Sequence, residues 1–74
     1  MNIDNKKKLY TYEYNLIDIN WDEIIDSGYG EVVAEDAKEA VDVAFSFIQL
    51  KYYRQYEYPR DIYIDIYRLE RTDN

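Results

Sequence analysis

The sequence predicts an α+β domain: a three-stranded antiparallel sheet with one long helix packed on one face, in the order β-α-β-α-β. Three observations lead to this prediction. Two segments alternate apolar and polar residues, and a central segment has strong helix formers with no Gly or Pro. The third is the length of 74 residues, which is enough for one small core. We therefore expect a single domain over residues 1–74, with a flexible basic N-terminus at 1–8 and a frayed end at 70–74.

The first and last strands have the clearest patterns. Residues 9–17, LYTYEYNLI, place Tyr10, Tyr12, Tyr14 and Leu16 on one face. Residues 61–69, DIYIDIYRL, alternate in the same way, with three isoleucines on the inner face and Tyr63 and Tyr67 on the outer one. A helix packed on one side of the sheet would leave these two tyrosines on the opposite side.

A short helix and a second strand are expected between them. Asn20 stands three residues before Glu23, which is a helix N-cap pattern, and Gly28 is a possible C-cap. Residues 29–35, YGEVVAE, contain two β-branched residues and predict the second strand, with Gly30 at its boundary. Gly28 and Gly30 are interpreted as turn residues.

The long helix is expected from Asp36 to about Tyr53. Asp36 and Glu39 repeat the capping pattern, and Pro59 lies beyond the helix. Seven residues share the side that should face the sheet: Ala37, Ala40, Val41, Ala44, Phe45, Ile48 and Tyr52. Val43, Phe47 and Leu50 widen the apolar arc to about 220°, which is more than one sheet face needs. A second contact is therefore expected, either with the short helix or with another chain.

The composition excludes most enzyme classes. The chain has no Cys and no His, so thiolate chemistry, the commonest metal ligand and the commonest general base are missing. Asp18, Asn20 and Asp22 match the start of a calcium loop, but Glu23 stands where that loop needs Gly. A looser cation site from Asp18, Asp22, Glu23 and Asp26 stays open as an alternative. We expect no enzyme, no cofactor and no resident metal.

The charge is acidic and unevenly distributed. Sixteen acidic and nine basic residues give a net charge of −7, and residues 9–48 hold ten of the acids against Lys38 alone. Such a chain repels nucleic acids and anionic membranes and favours basic partners. No apolar run is long enough to cross a bilayer and the N-terminus lacks a signal-peptide core, so we expect a soluble, cytoplasmic protein. The alternative is that the acid serves solubility only.

Ten tyrosines are many for this length. Most would serve the sheet and a thin core, but rows of exposed Tyr are typical of protein interfaces. A platform for single-stranded nucleic acid is a further alternative, and it would need a positive groove, for which only Arg54, Arg60, Arg68 and Arg71 are available.

The candidate site is the acidic stretch. Carboxylates held apart on a rigid scaffold resemble a run of phosphates and attract Arg and Lys in a groove built for nucleic acid. The predicted partner-binding residues are Asp18, Asp22, Glu23, Asp26, Tyr29, Glu31, Glu35, Glu39 and Asp42.

The stretch DINWDEIIDSGYGEVVAEDAKEA, with the size, charge and composition of the chain, resembles small, acidic, phage-encoded inhibitors of bacterial defence systems, including anti-CRISPR proteins and other DNA mimics. The resemblance implies a non-enzymatic inhibitor in the host cytoplasm. Its partner would be a basic nucleic-acid-binding protein, such as a CRISPR effector or another defence nuclease, whose DNA groove it blocks. The charge-balanced C-terminal third departs from this pattern.

The alternative function is a small homo-oligomeric module, for example a homodimer. Its interface would use the Tyr-rich face and the wide apolar stripe of the long helix.

Overall fold

A computed structural model describes residues 7–55 and 62–72 of the chain. Over these residues the chain forms β1 (Lys8–Asp18), β2 (Glu23–Ala34), α1 (Ala37–Gln55) and β3 (Ile62–Arg71). The sheet order is β2-β1-β3, and both neighbouring pairs are antiparallel. The α+β class, the three-stranded antiparallel sheet and the long helix are confirmed.

The central strand β1 supplies most of the core. Its even-numbered residues Tyr10, Tyr12, Tyr14 and Leu16 share one face, as the alternation predicts, and the structure shows that this is the face buried under α1. On the helix, Ala40 and Ala44 are fully buried, with Ile48 and Tyr52 continuing the same stripe. Small alanine side chains let the helix approach the sheet closely, so the large tyrosine rings fill the remaining space.

The predicted short helix after β1 is absent, because residues 19–22 form a turn and β2 begins at Glu23. The buried carboxylate of Asp18 accepts hydrogen bonds from the backbone N–H of Asn20 at 2.9 Å and of Trp21 at 3.3 Å. Asp22 has a φ of 52°, in the left-handed region that Asp tolerates better than most residues. The side chain of Asp18 and this conformation stabilise a tight hairpin, so β1 and β2 form one continuous ribbon.

The interpretation of Gly28 and Gly30 as turn residues is wrong. Both lie inside β2, directly opposite Tyr14 and Tyr12 of β1. A Cβ atom on Gly28 would lie 2.6 Å from the Tyr14 hydroxyl oxygen, and one on Gly30 would collide with the Tyr12 hydroxyl. The glycines therefore leave room for two tyrosine rings on the face that α1 covers. This is a known way of stabilising glycine in a strand.

The predicted start of α1 is confirmed. The Asp36 carboxylate accepts a hydrogen bond from the Glu39 N–H at 2.8 Å, and the Glu39 carboxylate accepts one from the Glu35 N–H at 2.6 Å. The first bond satisfies a backbone N–H that the first helical turn leaves unpaired, and the second holds the N–H of Glu35, just before the helix.

The apolar arc of α1 is wider than the surface that the sheet covers. Val41 and Phe45 are exposed on one flank of the buried stripe, and Phe47 and Leu50 on the other. The short helix that was one of the two expected covers for this arc is not formed. Within the described ranges, no helix has the length and apolar character needed to span a membrane.

The last strand extends two residues further than its pattern predicts, to Arg71. Asp61, where the prediction begins it, lies outside the described residues, as do Pro59, Tyr56 and Tyr58. Residues 1–6 and 73–74 of the two ends expected to be flexible also lie outside them, whereas Lys8 is already in β1.

Candidate functional site: the open face of the sheet

The sheet face turned away from α1 is called the open face. It consists of the odd-numbered residues of β1, of the residues paired with them in the two neighbouring strands, and of Tyr67, the bulge residue of β3 that contacts Glu13. Its members are Leu9, Thr11, Glu13, Asn15 and Ile17 of β1, Ile24, Ser27, Tyr29, Glu31 and Val33 of β2, and Tyr63, Asp65, Tyr67, Arg68 and Glu70 of β3.

The open face is acidic. It carries four carboxylates, on Glu13, Glu31, Asp65 and Glu70, against the single guanidinium of Arg68. Arg68 contacts Glu13 at 3.4 Å and Glu70 at 2.8 Å, and both contacts are exposed. Exposed pairs of this kind contribute little to stability, because water and salt screen them. The face therefore keeps a clear negative excess around Arg68.

A hydrogen bond links the aromatic and acidic parts of this face. The Tyr67 hydroxyl donates to a carboxylate oxygen of Glu13 at 3.0 Å. This bond, more than any other contact, raises the pKa of Tyr67 above the ordinary tyrosine value. Hydrogen bonding to Glu70 is the main reason that the pKa of Arg68 is raised. Among the described residues, the carboxylates of Glu31 and Asp65 take part in no such contact.

Three tyrosines of the open face are exposed to solvent: Tyr29 by 85%, Tyr63 by 55% and Tyr67 by 54%. Tyr63 and Tyr67 thus lie opposite the helix, as the strand pattern predicts. A shallow groove lies between Tyr29 and Arg68, with Thr11, Glu13 and Glu31 along it. A face with exposed aromatic rings and unpaired carboxylates has the composition of a protein-binding surface for a basic partner.

The structure divides the nine predicted site residues into three groups. Tyr29 and Glu31 lie together on the open face, where Tyr29 is paired with Glu13 across the strands.

The second group lies at the hairpin end of the molecule. Asp18 is only 4% exposed and holds the turn, so it faces the protein rather than a partner. Asp26 is half-buried on the helix-covered face and accepts a hydrogen bond from the Ser27 N–H at 2.8 Å. Asp22 and Glu23 are exposed at the turn.

The third group lies around the start of α1. Glu35 and Asp42 are exposed, and Glu39 is occupied as a helix cap. The acidic stretch is therefore continuous in sequence but spread over both faces of the sheet and the helix.

The looser cation site considered in the sequence analysis depends on the acidic residues at the hairpin end. Among the residues described, no group of three or more carboxylates lies close enough to hold a metal ion. Asp18, Asp22, Glu23 and Asp26 therefore do not form the looser cation site that their spacing left open.

Several residues of the open face are absent from the predicted partner-binding residues: Thr11, Glu13, Asp65, Arg68 and Glu70. The alternation of β1 places Glu13 opposite the buried tyrosines, and this signal could have identified it. Asp65, Arg68 and Glu70 depend on the strand order and on a bulge near Tyr67, and a single sequence determines neither.

No protein-family model matches this chain, and no curated protein and no solved structure matches it.

Proposed function

We propose that this protein is a non-enzymatic inhibitor that binds a basic nucleic-acid-binding protein through its acidic open face and blocks the groove that holds the nucleic acid. One observation carries the proposal. The open face combines four carboxylates and three exposed tyrosines with only one basic side chain, and α1 leaves it uncovered. The partner class, a defence nuclease such as a CRISPR effector, is the one that the resemblance implies.

The spacing of the acids limits how such binding could work. Asp65 and Glu70 of the open face are five residues apart in β3, or roughly 16 Å along an extended chain. Duplex DNA carries one charge per roughly 1.7 Å of its axis. The protein could therefore replace only a few phosphate contacts, and the exposed tyrosines must contribute contact area in addition to charge.

The test compares two charge reversals of equal size. Glu31→Lys changes the open face, and Asp42→Lys changes the exposed side of α1 by the same amount. Wild-type protein and both variants would be immobilised and exposed to lysate of a phage-susceptible bacterium, at about 50 mM and about 500 mM salt.

The proposal expects one basic protein to be retained by the wild type and by Asp42→Lys, to be lost with Glu31→Lys or at high salt, and to be displaced by duplex DNA. Retention by Glu31→Lys, or a captured protein that DNA does not displace, would contradict it. The purified partner should also lose DNA binding when the inhibitor is added.

A second candidate function, a homo-oligomeric module, is favoured by one observation on the helix. Phe47 and Leu50 are 52% and 58% exposed on the same flank of α1, next to the partly buried Val43. Phe47→Asp should then convert an oligomer to a monomer, with Gln49→Asp as the control on the polar side of the helix. A wild-type mass equal to that of a single chain in sedimentation equilibrium at high concentration would exclude this function.

A further inference from the structure

The outer edge of β2 has a segment of unpaired backbone. β2 is at one side of the sheet, next to β1 only. The N–H and C=O groups of a strand point alternately to its two sides, so every second residue of β2 directs both groups away from β1. Such an edge can pair with another extended chain.

The hydrogen bonds of β1 show which residues these are. The Thr72 N–H donates to the Leu9 carbonyl at 2.9 Å, so Leu9 and the other odd residues of β1 point toward the β3 side. The even residues Tyr10, Tyr12 and Tyr14 consequently point toward β2. Their partners there are Val32, Gly30 and Gly28. The residues of β2 that point outward are therefore Tyr29, Glu31 and Val33.

Two further hydrogen bonds support the same alternation independently. Ser27 and Glu35 are each an even number of residues from Tyr29, Glu31 and Val33, so their N–H groups also point outward. Each of these two N–H groups donates a hydrogen bond to a carboxylate of the chain itself. Ser27 donates to Asp26 at 2.8 Å, and Glu35 donates to Glu39 at 2.6 Å. Both ends of the edge are thus closed, and Tyr29–Val33 remains between them. In the described part of the chain, no residue bonds the outward groups of this segment.

We propose that Tyr29–Val33 is a docking edge that adds an extended segment of the partner protein as a fourth, antiparallel strand. This inference rests on the proposed function and specifies how the basic partner is held. Main-chain hydrogen bonds would supply affinity, and alternate side chains would supply specificity. The segment that fits has a basic residue opposite Glu31 and apolar residues opposite Tyr29 and Val33.

A second copy of this chain is a poor occupant of the same edge. The antiparallel register that uses all three outward residues places Glu31 directly opposite Glu31 of the copy, which is destabilising. The other edge of the sheet is also less suitable, because β3 has its bulge in the middle, near Tyr67. Bulges interrupt the regular pattern that an added strand needs. The bulge of β2 lies at Ile25, outside the segment.

The test uses a synthetic heptapeptide as the probe. Its sequence is Thr-Val-Thr-Arg-Thr-Val-Thr, so that the central arginine can lie opposite Glu31 and the two valines opposite Tyr29 and Val33. Two controls keep the length: one replaces the arginine by glutamate, and one is methylated on the three backbone nitrogens that would face β2 and keeps the charge. Amide hydrogen exchange of the full chain is followed by NMR.

We expect the first peptide to slow exchange of the Tyr29, Glu31 and Val33 N–H groups by about tenfold or more at saturation, and both controls to bind at least about tenfold more weakly. If the methylated peptide binds equally well, or if no peptide slows these three amides, the docking edge is wrong. Either result leaves the lysate capture and DNA displacement unaffected, so failure of the edge is distinguishable from failure of the proposed function.

Discussion

Gly30 lies directly opposite Tyr12 in the hairpin, and a side chain at Gly30 would collide with the Tyr12 ring. A methyl group at Gly30 would have to displace a buried ring that packs under α1. We therefore expect Gly30→Ala to lower the free energy of unfolding by about 1–3 kcal/mol, as overpacking of a filled core does. Urea unfolding followed by circular dichroism measures this.

The matched control is Ser27→Ala in the same strand, where the side chain is exposed. Its effect should stay within about 0.5 kcal/mol. If Gly30→Ala lowers the free energy of unfolding as little as Ser27→Ala does, β2 tolerates side chains on both faces. The tyrosine rings then do not require the glycines.

Tyr67 and Glu13 provide a prediction for high pH. Because the hydroxyl donates to the carboxylate, the pKa of Tyr67 is raised above the ordinary value of about 10. The bond therefore contributes fully to the stability of the fold below the pKa that Tyr67 has in the unfolded chain. This contribution is lost as the pH rises through the pKa of Tyr67 in the folded protein. Glu13→Gln should bring the pKa of Tyr67 back toward the ordinary value. The measurement is the ring carbon shift of Tyr67 by NMR; a pKa that Glu13→Gln leaves unchanged would contradict the assigned cause.

Capping patterns show what a few residues can predict. Asp36 with Glu39 and Asn20 with Glu23 have the same spacing, yet only the first pair begins a helix. After Asp36 come helix formers with an apolar stripe that the sheet can bury. After Asn20 comes a short segment whose backbone is already held by the Asp18 carboxylate and which continues as a strand. Whether a capping pattern begins a helix therefore depends on whether the following residues have a surface to pack against.

At the scale of elements, β2 differs from the other strands in how its pattern arises. β1 and β3 are recognisable because one face is continuously apolar. In β2 the inner positions opposite Tyr14 and Tyr12 are glycines, so the apolar side chains that bury this part of the face belong to β1. The period of two is therefore hidden in the first half of β2, and only Val32 and Val33 predict a strand.

The alternating direction of the N–H groups along β2 predicts alternating rates of amide hydrogen exchange. The N–H groups of Gly28, Gly30 and Val32 bond to β1, whereas those of Tyr29, Glu31 and Val33 face solvent at the edge. We expect the first three amides to exchange at least about a hundredfold more slowly than the last three in the free protein. Deuterium exchange followed by NMR resolves single residues. Uniform protection along Gly28–Val33 would mean that another part of the chain or a second copy covers this edge.

At the scale of the molecule, strand order determines the composition of the open face. β1 lies between the two others, so Glu13 meets Tyr29 on one side and Arg68 on the other, although these residues are far apart in sequence. The alternation predicts which residues of a strand share a face, but not which face of β1 the helix covers, which strand is central or where its register shifts. The acidic excess was therefore predictable, and its division between the open face, the hairpin end and the helix was not.

The net charge of −7 leads to opposite effects of salt on folding and on partner binding. Like charges repel within the folded domain, and salt screens this repulsion. Salt also screens the ion pairs of Arg68, but these pairs are exposed and contribute little stability, so little is lost. Raising sodium chloride from about 20 mM to about 200 mM should therefore raise the unfolding temperature by roughly 2–5 °C. Over the same range the partner should bind more weakly, because its attraction is electrostatic.

Glu31→Lys and Asp42→Lys reduce the net charge equally, so both should make the unfolding temperature less sensitive to salt. Only Glu31→Lys should also abolish binding of the partner, since of the two charges only this one lies on the open face. Calorimetry measures the first effect and titration with the captured partner measures the second. An unfolding temperature that falls with added salt would show that the ion pairs outweigh the repulsion. If the two variants weaken binding of the partner equally, the partner recognises the total charge rather than the open face.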